Sequence, residues 1–153
     1  MEIQIRNAKK EDYKAVEVMM EQVQQMHIRW RPDLYQFNET VLSYEMYEQA
    51  VADQTAFVAE CDGHVAGIVL IMYRHIENPV QVTRNIIFVD SMAVDEAYRG
   101  KGIGHAFFDF LKELKEQRGY DGIELQVNAK NEAAYKMYAD YGFTNKSINM
   151  ELL

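Results

Sequence analysis

The stretch Arg99-Gly100-Lys101-Gly102-Ile103-Gly104 decides the fold, because it joins a predicted strand directly to a predicted helix. Upstream, residues 86–94 read Ile-Ile-Phe-Val-Asp-Ser-Met-Ala-Val, an apolar, β-branched run that is typical of a buried strand. Downstream, apolar side chains recur at helical spacing, at Ile103, Phe107, Phe110, Leu111 and Leu114. The sequence therefore predicts a strand, a glycine-rich turn and a helix in direct succession.

The glycine-rich turn has the composition of an anion site. Glycines at a helix entrance let the backbone approach a ligand closely, and the N–H groups of the first helical turn have no partner within the helix. Arg99 and Lys101 add positive charge at the same point. We expect this turn to bind a phosphate or pyrophosphate, although helix entries also use glycine for packing alone.

The spacing of this turn excludes two common phosphate-binding motifs. A P-loop ends in Lys followed by Ser or Thr, whereas Gly104 is followed by His105 and Ala106. A dinucleotide-binding fingerprint occupies the first strand–helix turn of its fold, whereas this turn lies two-thirds along the chain.

Two motifs together resemble one protein family. The pattern Arg-x-x-Gly-x-Gly, after a strand that ends in Ala-Val-Asp-Glu, resembles the coenzyme A pyrophosphate loop of the GNAT superfamily of acyl-CoA N-acyltransferases. Residues 128–143, which read Asn-Ala-Lys-Asn-Glu-Ala-Ala-Tyr-Lys-Met-Tyr-Ala-Asp-Tyr-Gly-Phe, resemble the family's Asn-x-x-Ala and Tyr-x-x-x-Gly-Phe region. One helix and one strand separate the two motifs, as in the family. The resemblance extends over nearly the whole chain and implies a single N-acetyltransferase domain over residues 1–153.

Composition fits such a domain. A chain of 153 residues with 48% hydrophobic content can bury one sizeable core, and no apolar run approaches the ~20 residues that span a bilayer. The first residues read as a strand rather than a signal peptide, and one cysteine, Cys61, excludes an internal disulfide. We therefore expect a cytoplasmic protein without membrane contacts. A net charge of −8 argues against nucleic acid as a partner and is compatible with a cationic substrate or with solubility alone.

Periodicity predicts the order β-α-α-β-β-β-α-β-α-β, a mixed α/β fold with a central sheet. Strands are predicted at residues 3–5, 56–60, 64–73, 84–94, 123–128 and 147–152, and helices at 10–30, 38 or 39 to 51, 103–118 and 131–141. The resemblance implies further that the fourth and fifth strands run parallel and splay apart. The pantetheine arm of the cofactor would enter that gap and pair with backbone near Met92 and Val94.

The resemblance also implies the residues that bind acetyl-CoA, the expected co-substrate. These are the pyrophosphate loop Arg99, Gly100, Lys101, Gly102, Ile103 and Gly104, the strand backbone at Met92, Ala93 and Val94, and the side chain of Asn131. A backbone N–H around Met92 to Val94 would also stabilise the oxyanion, with a β-bulge nearby. Capping of the last helix is an equally good explanation for Asn131.

For catalysis, the resemblance implies that Tyr138 is the general acid for the departing thiolate. A phenol is protonated at neutral pH and can donate a proton, although Tyr135, Tyr138 and Tyr141 can also be aromatics of one helix face. The general base is Asp90 in our prediction, with Glu60 and His75 as alternatives, and each of the three has a purely structural explanation.

The acceptor amine would bind at the first two helices and their connection. Aromatic and acidic side chains mix there, namely Trp30, Tyr35, Phe37, Tyr44 and Tyr47 with Asp33, Glu39, Glu45 and Glu48. Core and helix-surface roles explain the same residues equally well. Gln126 stands where some protein-acetylating relatives carry a glutamate, which favours a small-molecule amine over a protein N-terminus.

We therefore predict an acetyl-CoA-dependent transferase, an N-acetyltransferase that acts on a primary amine of a small molecule. A non-catalytic coenzyme A-binding regulatory module and a protein or peptide amine acetyltransferase are the alternatives. No metal is expected, because the four histidines show no ligand spacing. The sequence leaves the oligomeric state open, and a homodimer is the commonest assembly.

Overall fold

Five strands form one sheet in the order β1-β2-β3-β4-β5 in the computed structural model, which describes residues 1–153. The strands are β1 (Ile3–Asn7), β2 (Ala56–Cys61), β3 (His64–Asn78), β4 (Gln81–Val94) and β5 (Gly122–Leu125). The helices are α1 (Tyr13–Trp30), α2 (Tyr44–Ala52), α3 (Ile103–Arg118) and α4 (Glu132–Tyr141), with single 3₁₀ turns at Lys10–Asp12 and Glu96–Tyr98. None of the helices combines the length and the apolar character that crossing a bilayer requires.

The sheet is antiparallel except for its last pair. Strands β1 to β4 pair antiparallel in chain order, and β5 runs parallel to β4 because α3 carries the chain back across the sheet. The Asp62-Gly63 turn between β2 and β3 has positive φ at both residues, as a tight two-residue hairpin requires. The mixed α/β class and the predicted parallel pair are confirmed.

Each face of the sheet carries its own apolar core. On one face, α3 packs through Ile103, Phe107, Phe108 and Leu111 against alternate residues of β2, β3 and β4, and α4 joins the same core. On the other face, α1 contributes Val16 and Met19, and α2 contributes Tyr47. The result is a three-layer arrangement with the first two helices on one side of the sheet and the last two on the other.

A β-bulge interrupts β4 in its second half. Val89 pairs with Ile71 and Ser91 pairs with Leu70, so Asp90 is an extra residue without an opposite partner. Before the bulge the odd-numbered Ile87 and Val89 face the α3 core. After it, Met92 and Val94 face that core, and Ala93 faces the α1 core. The expected bulge is therefore present, slightly before the segment 92–94 where we expected it.

The two parallel strands diverge beyond the bulge. Pairing with β5 covers only Ile86–Val89, and β4 continues to Val94 with β3 on one side alone. The backbone from Asp90 to Val94 thus borders a gap in the sheet, which confirms the expected splay. The glycine-rich turn follows directly at the end of this open edge.

Two predicted boundaries are wrong. Helix α2 begins at Tyr44 rather than at residue 38 or 39, because the Ser43 hydroxyl accepts a hydrogen bond from Met46 N and caps the helix there. Strand β5 ends at Leu125 rather than at residue 128, because β4 has already diverged from it.

The strand predicted at residues 147–152 does not form. Its alternating pattern is real, but Ile148, Met150 and Leu152 are exposed, and residues 144–153 make no backbone–backbone hydrogen bond. A segment of alternating apolar and polar residues forms a strand only where a neighbouring strand pairs with it and an apolar surface covers its hydrophobic face. The element order is confirmed as far as α4.

Candidate functional site

The glycine-rich loop has the backbone conformation of an anion cradle. Gly100 and Gly102 adopt φ values of 75° and 89°, a left-handed region that favours glycine. A Cβ atom added at either glycine would meet no atom within 4 Å, so the loop presents an open face. No backbone N–H from Arg99 to His105 donates a hydrogen bond within the chain, and α3 has no side-chain cap at its first turn. These N–H groups suit a ligand with several anionic oxygens.

Two cations stand at the same loop. The Nε of Arg99 donates to the carbonyl oxygen of Val94 at 3.1 Å, which fixes the arginine stem against the end of β4. Lys101 is exposed, with its Nζ 5.5 Å from the centre of the Tyr98 ring. Neither side chain forms a salt bridge within the chain, so both charges are available to an anion.

Gly104 has a different role from the other two glycines. A Cβ atom at this position would lie 2.8 Å from the Met137 Cε of α4. Gly104 therefore lies against the end of the Met137 side chain, which would have to move for a larger residue, whereas Gly100 and Gly102 set the loop conformation. The Met137 contact places α4 beside the first turn of α3, and Tyr138 of the same helix packs against Phe108.

Tyr138 differs from the other two tyrosines of α4 in what its hydroxyl contacts. The Tyr135 hydroxyl donates to Asn145 and the Tyr141 hydroxyl to Asp109, whereas that of Tyr138 has no hydrogen-bond partner within the chain. Its ring lies 5.6 Å from that of Phe108 and 6.0 Å from that of Phe143. Burial raises the pKa of Tyr138, so the phenol keeps its proton at neutral pH.

Asn131 caps α4. Its side-chain oxygen accepts a hydrogen bond from Ala134 N at 3.2 Å, as the capping explanation predicts. This role uses one lone pair of the side-chain oxygen and leaves the amide nitrogen without a partner within the chain.

The three candidate bases lie in different surroundings. Asp90 is the exposed bulge residue at the start of the open β4 edge. Glu60 accepts a hydrogen bond from Arg6 at 2.8 Å on the α1 side of the sheet, so it is already paired. His75 pairs in register with Asn85, five residues before Asp90, which places it on the order of 17 Å along the strand. Asp90 is the only one of the three beside the gap.

The predicted acceptor residues divide into two groups. Tyr47 is fully buried and donates to the Lys9 carbonyl oxygen, and Tyr44 packs edge-on against Tyr13, so both belong to the α1–α2 packing. Trp30 and Tyr35 instead flank His27, with ring centres 5.5 Å and 4.7 Å away.

His27 of α1 has an unusual environment that its position in the sequence does not reveal. Its Nδ1 atom is buried and has no hydrogen-bond partner, and burial lowers its pKa. A neutral imidazole with one free nitrogen therefore faces the segment that joins α1 to α2. No group of His, Cys, Asp and Glu side chains in the chain has the geometry of a metal site.

Comparison with known proteins identifies the family. Residues 20–143 match the model of the Acetyltransferase (GNAT) family. Human N-acetylaspartate synthetase is 32% identical over 99 residues, which are 65% of this chain and 30% of that protein. The chain thus spans about a third of the length of that relative.

Solved structures agree in fold. A tetramutant of the BH1408 protein from Bacillus halodurans superposes with a TM-score of 0.93 at 27% identity, over 98% of this chain and 99% of that one. The aminoglycoside N-acetyltransferase AAC(6')-Iy, in a complex with CoA, has a TM-score of 0.71 at 14% identity, over 98% of each chain, and shows the shared fold alone. The family match, the loop geometry and the splayed strands lead to one conclusion: the chain belongs to the GNAT acetyltransferase family.

Proposed function

We propose that the chain is one acetyl-CoA-dependent N-acetyltransferase domain, over residues 1–153, that acts on the primary amine of a small molecule. The observation that carries this proposal is the run of unpaired N–H groups from Arg99 to His105 at the end of an open strand edge. Family membership supports the reaction class, and the CoA complex of the structural neighbour supports the cofactor.

The chain offers two backbone features to acetyl-CoA. The loop of residues 99–104 would bind the pyrophosphate through its N–H groups, with Arg99 and Lys101 as counter-charges. The β4 edge, Met92, Ala93 and Val94 included, would pair with the amide groups of the pantetheine arm, and one of its N–H groups would stabilise the oxyanion. Acetyl-CoA, when bound, supplies the activated acyl group.

Tyr138 is the group that we assign to protonate the thiolate. Its hydroxyl has no partner within the chain and keeps its proton at neutral pH, so that proton is available to the thiolate. Asp90, beside the gap, would accept a proton from the amine through water, since it is exposed and forms no salt bridge within the chain. The cofactor contact of Asn131 would use its free amide nitrogen.

The acceptor class rests on the α1–α2 connection. Trp30, Tyr35 and His27 form an aromatic cluster, and Arg31 with Asp33 makes an exposed ion pair beside it. The names of N-acetylaspartate synthetase and of the aminoglycoside enzyme both specify small amines. We infer a small amine for this chain as well. A cytoplasmic location stays a prediction.

Calorimetric titration with acetyl-CoA is the experiment that tests the cofactor site. We expect binding by the wild-type chain and about tenfold weaker binding by Lys101→Glu, since reversing one charge beside a pyrophosphate costs about 1.4 kcal/mol. Lys112→Glu, which changes the same charge on the exposed face of α3, is the matched control and should bind normally. A folded wild-type chain that does not bind, or equal loss in both variants, would contradict the site.

Release of free coenzyme A from acetyl-CoA in the presence of amines, detected through its thiol, then tests catalysis. Binding of acetyl-CoA without thiol release across small-molecule and peptide amines would favour the non-catalytic CoA-binding module. Release with peptide amines alone would favour a protein acetyltransferase.

A further inference from the structure

Arg74 on β3 is the one strand arginine that no carboxylate pairs with. The strands carry three arginines, Arg6, Arg74 and Arg84, and no lysine. Arg6 and Arg84 both form salt bridges with carboxylates. The Arg74 guanidinium forms neither a salt bridge nor a hydrogen bond within the chain. Its N–H donors are therefore free to bind an anion from outside the chain.

An aromatic ring fixes the position of this guanidinium. The central carbon of the Arg74 guanidinium lies 3.7 Å from the centre of the Phe88 ring on β4, and Phe88 is only 9% exposed. Such a contact is attractive because the face of the ring is electronegative. It covers one face of the guanidinium and leaves the N–H groups, which point outward in its plane, available to a ligand.

The Arg74 side chain extends along the sheet toward the gap between β4 and β5. Arg74 pairs in register with Ile86, whereas Phe88 lies two residues nearer to the end of β4. The bulge residue Asp90 follows Phe88 by two more residues, on the order of 7 Å along the strand. The guanidinium thus lies close to the start of the open edge, where Asp90 is the proposed base.

The contact is on the face of the sheet that carries α1 and α2. Ile87 and Val89 face the α3 core, so Phe88 between them faces the opposite side. Met72 pairs directly with Phe88, shares its face and is 45% exposed. A free guanidinium and an apolar surface therefore lie side by side on the face where we expect the acceptor to bind.

We propose that Arg74 binds the carboxylate of the acceptor, and that the acceptor is an α-amino acid with an apolar side chain. This inference rests on the proposed N-acetyltransferase function and specifies its substrate. A planar guanidinium can give a carboxylate two parallel N–H bonds, which fix the orientation of the ligand. One carbon separates the carboxylate of an α-amino acid from its amine, so a carboxylate on Arg74 directs the amine toward Asp90.

The surrounding charges favour a single carboxylate. Glu124, which pairs with Phe88 across β4 and β5, is neutralised by Arg84 at 3.0 Å and by Lys146 at 2.8 Å. It therefore repels the bound carboxylate little. A second carboxylate on the ligand would find no other unpaired arginine on the strands, whereas an apolar side chain can pack on Met72.

The carboxylate takes no part in the bond changes. The nitrogen of the free amine bonds to the acetyl carbon, and the C–S bond of the thioester breaks. The surplus proton of the nitrogen leaves through Asp90, and Tyr138 gives a proton to the sulfur. Arg74 holds the ligand throughout, so its loss should affect only acceptors that have a carboxylate.

Matched pairs of acceptors test this inference, each pair an L-amino acid and the amine that lacks only its carboxyl group. We would use leucine with isopentylamine and phenylalanine with phenethylamine. The wild type should acetylate the amino acid with the higher kcat/KM. Arg74→Gln should lower kcat/KM for the amino acid by about 10- to 100-fold, the usual effect of losing bonds to a charged group, and so remove the preference. The free-base fraction of each amine is the same for both proteins, so the change between them is decisive.

Arg118→Gln is the matched control. Arg118 lies over the Tyr73 ring at 4.0 Å, on the α3 side of the same sheet, and it also forms no salt bridge. This variant should keep the wild-type preference, and Arg74→Lys, which keeps the charge but not the planar donors, should keep part of it. An unchanged preference in Arg74→Gln, an equal loss for the amino acid and its amine, or faster acetylation of aspartate than of leucine would overturn the proposal.

Titration of leucine into the chain saturated with coenzyme A separates this inference from the proposed function. Coenzyme A has no acetyl group to transfer, so calorimetry measures binding of the amino acid alone. We expect the wild type to bind and Arg74→Gln to bind at least about tenfold more weakly, with an unchanged Tm. Release of coenzyme A with simple amines, without binding of the amino acid, would overturn the inference and leave the N-acetyltransferase standing. A chain that neither binds acetyl-CoA nor releases coenzyme A with any amine would overturn both.

Discussion

The three tyrosines of α4 show how position on one helix sets the chemistry of a phenol. Tyr135 and Tyr141 use their hydroxyls in hydrogen bonds to Asn145 and Asp109, and these bonds occupy their protons. Burial, with the added effect of Asp109, raises the pKa of Tyr141 to about 12. Tyr138 alone has a raised pKa and a hydroxyl that no protein group uses. It is therefore the tyrosine of this helix that can give a proton to a ligand.

Replacement of Tyr138 by phenylalanine separates proton donation from packing. Tyr138→Phe keeps the ring contacts with Phe108 and Phe143 and removes only the hydroxyl. We expect kcat to fall about 10²-fold, as for loss of a general acid, while the Kd for acetyl-CoA and the Tm stay near wild type. Steady-state kinetics with any amine that supports release of coenzyme A measures kcat, and calorimetric titration and thermal denaturation measure the Kd and the Tm.

Tyr135→Phe is the matched control, because it removes a hydroxyl from the exposed side of the same helix. Its turnover should equal that of the wild type. Unchanged turnover in Tyr138→Phe would exclude the tyrosine as the acid, and equal losses in both variants would indicate a general defect of α4.

Motif position alone singled out Tyr138 as a candidate, whereas the roles of other residues depend on packing. Gly102 and Gly104 are indistinguishable in the sequence, yet one adopts positive φ and the other faces Met137. Tyr47 looks like a ligand-binding aromatic and is fully buried. A single sequence reports residue type and spacing, whereas contacts between α3 and α4 or between α1 and α2 depend on how separate elements meet.

At the scale of elements, α4 is a short helix defined by its two ends. Asn131 caps its first turn, and Gly142, with φ of 127°, ends it while its N–H bonds to the carbonyl oxygens of Tyr138 and Ala139. Helices of ten residues are marginal in isolation, so caps and packing determine whether they form. The position of Tyr138 depends on both.

Loss of the Asn131 cap should therefore destabilise the domain. We expect Asn131→Ala to lower the free energy of unfolding by about 1 kcal/mol, the usual cost of a lost N-cap, as measured by urea denaturation. Asn131→Asp, which keeps an acceptor oxygen and lacks the amide nitrogen, should retain that stability. Weaker acetyl-CoA binding in the Asp variant would then support the separate contact between the amide and the cofactor. No loss of stability in Asn131→Ala would show that the cap is dispensable.

Element types could be predicted from the sequence, whereas several boundaries could not. The periodicity that marks α1, α3 and the β2–β3 hairpin is local, and these elements form close to where it places them. The start of α2 depends on one serine cap, and the end of β5 depends on divergence from its neighbour. The segment at residues 147–152 has a strand pattern, but no strand edge pairs with it.

At the scale of the whole molecule, one ion cluster ties the first strand to the rest of the α1 side. Arg6 donates to Asp12 at 2.8 and 3.0 Å and to Glu60 on β2 at 2.8 Å. Asp12 is the one charged residue among the buried side chains, and it also accepts from Lys9 N. Burial alone would raise the pKa of Asp12, but the bonds from Arg6 and Lys9 outweigh it and lower the pKa.

This cluster predicts a loss of stability in acid. A carboxylate whose pKa is lower in the folded than in the unfolded chain stabilises the fold above its ordinary pKa of about 3.9. That stability is lost as the pH falls through the folded value. Asp12→Asn should be less stable than the wild type at pH 7 by about 2 kcal/mol, because Arg6 loses one of its two carboxylate partners and keeps Glu60. The variant should also lose less stability than the wild type on acidification.

Urea denaturation between pH 7 and pH 3 measures both effects. Asp140→Asn, which breaks the exposed pair with Lys136, is the control and should follow the wild-type pH dependence. If the free energy of unfolding of Asp12→Asn falls with pH as steeply as that of the wild type, other carboxylates cause the acid sensitivity.

The extra residue Asp90 shifts the alternation of side chains along β4. Odd-numbered residues face the α3 core before it, and even-numbered residues face that core after it. The first half of β4 alternates in one phase and its second half in the other, so length and sequence are matched on each side of the bulge. Deletion of Asp90 would remove the bulge itself, because Val89 and Ser91 would then follow one another in regular alternation. Met92 and Val94 would still face α3, and Ala93 would still face α1. Loss of that one residue would therefore change the backbone beside the gap and leave the apolar cores on both faces of the sheet intact.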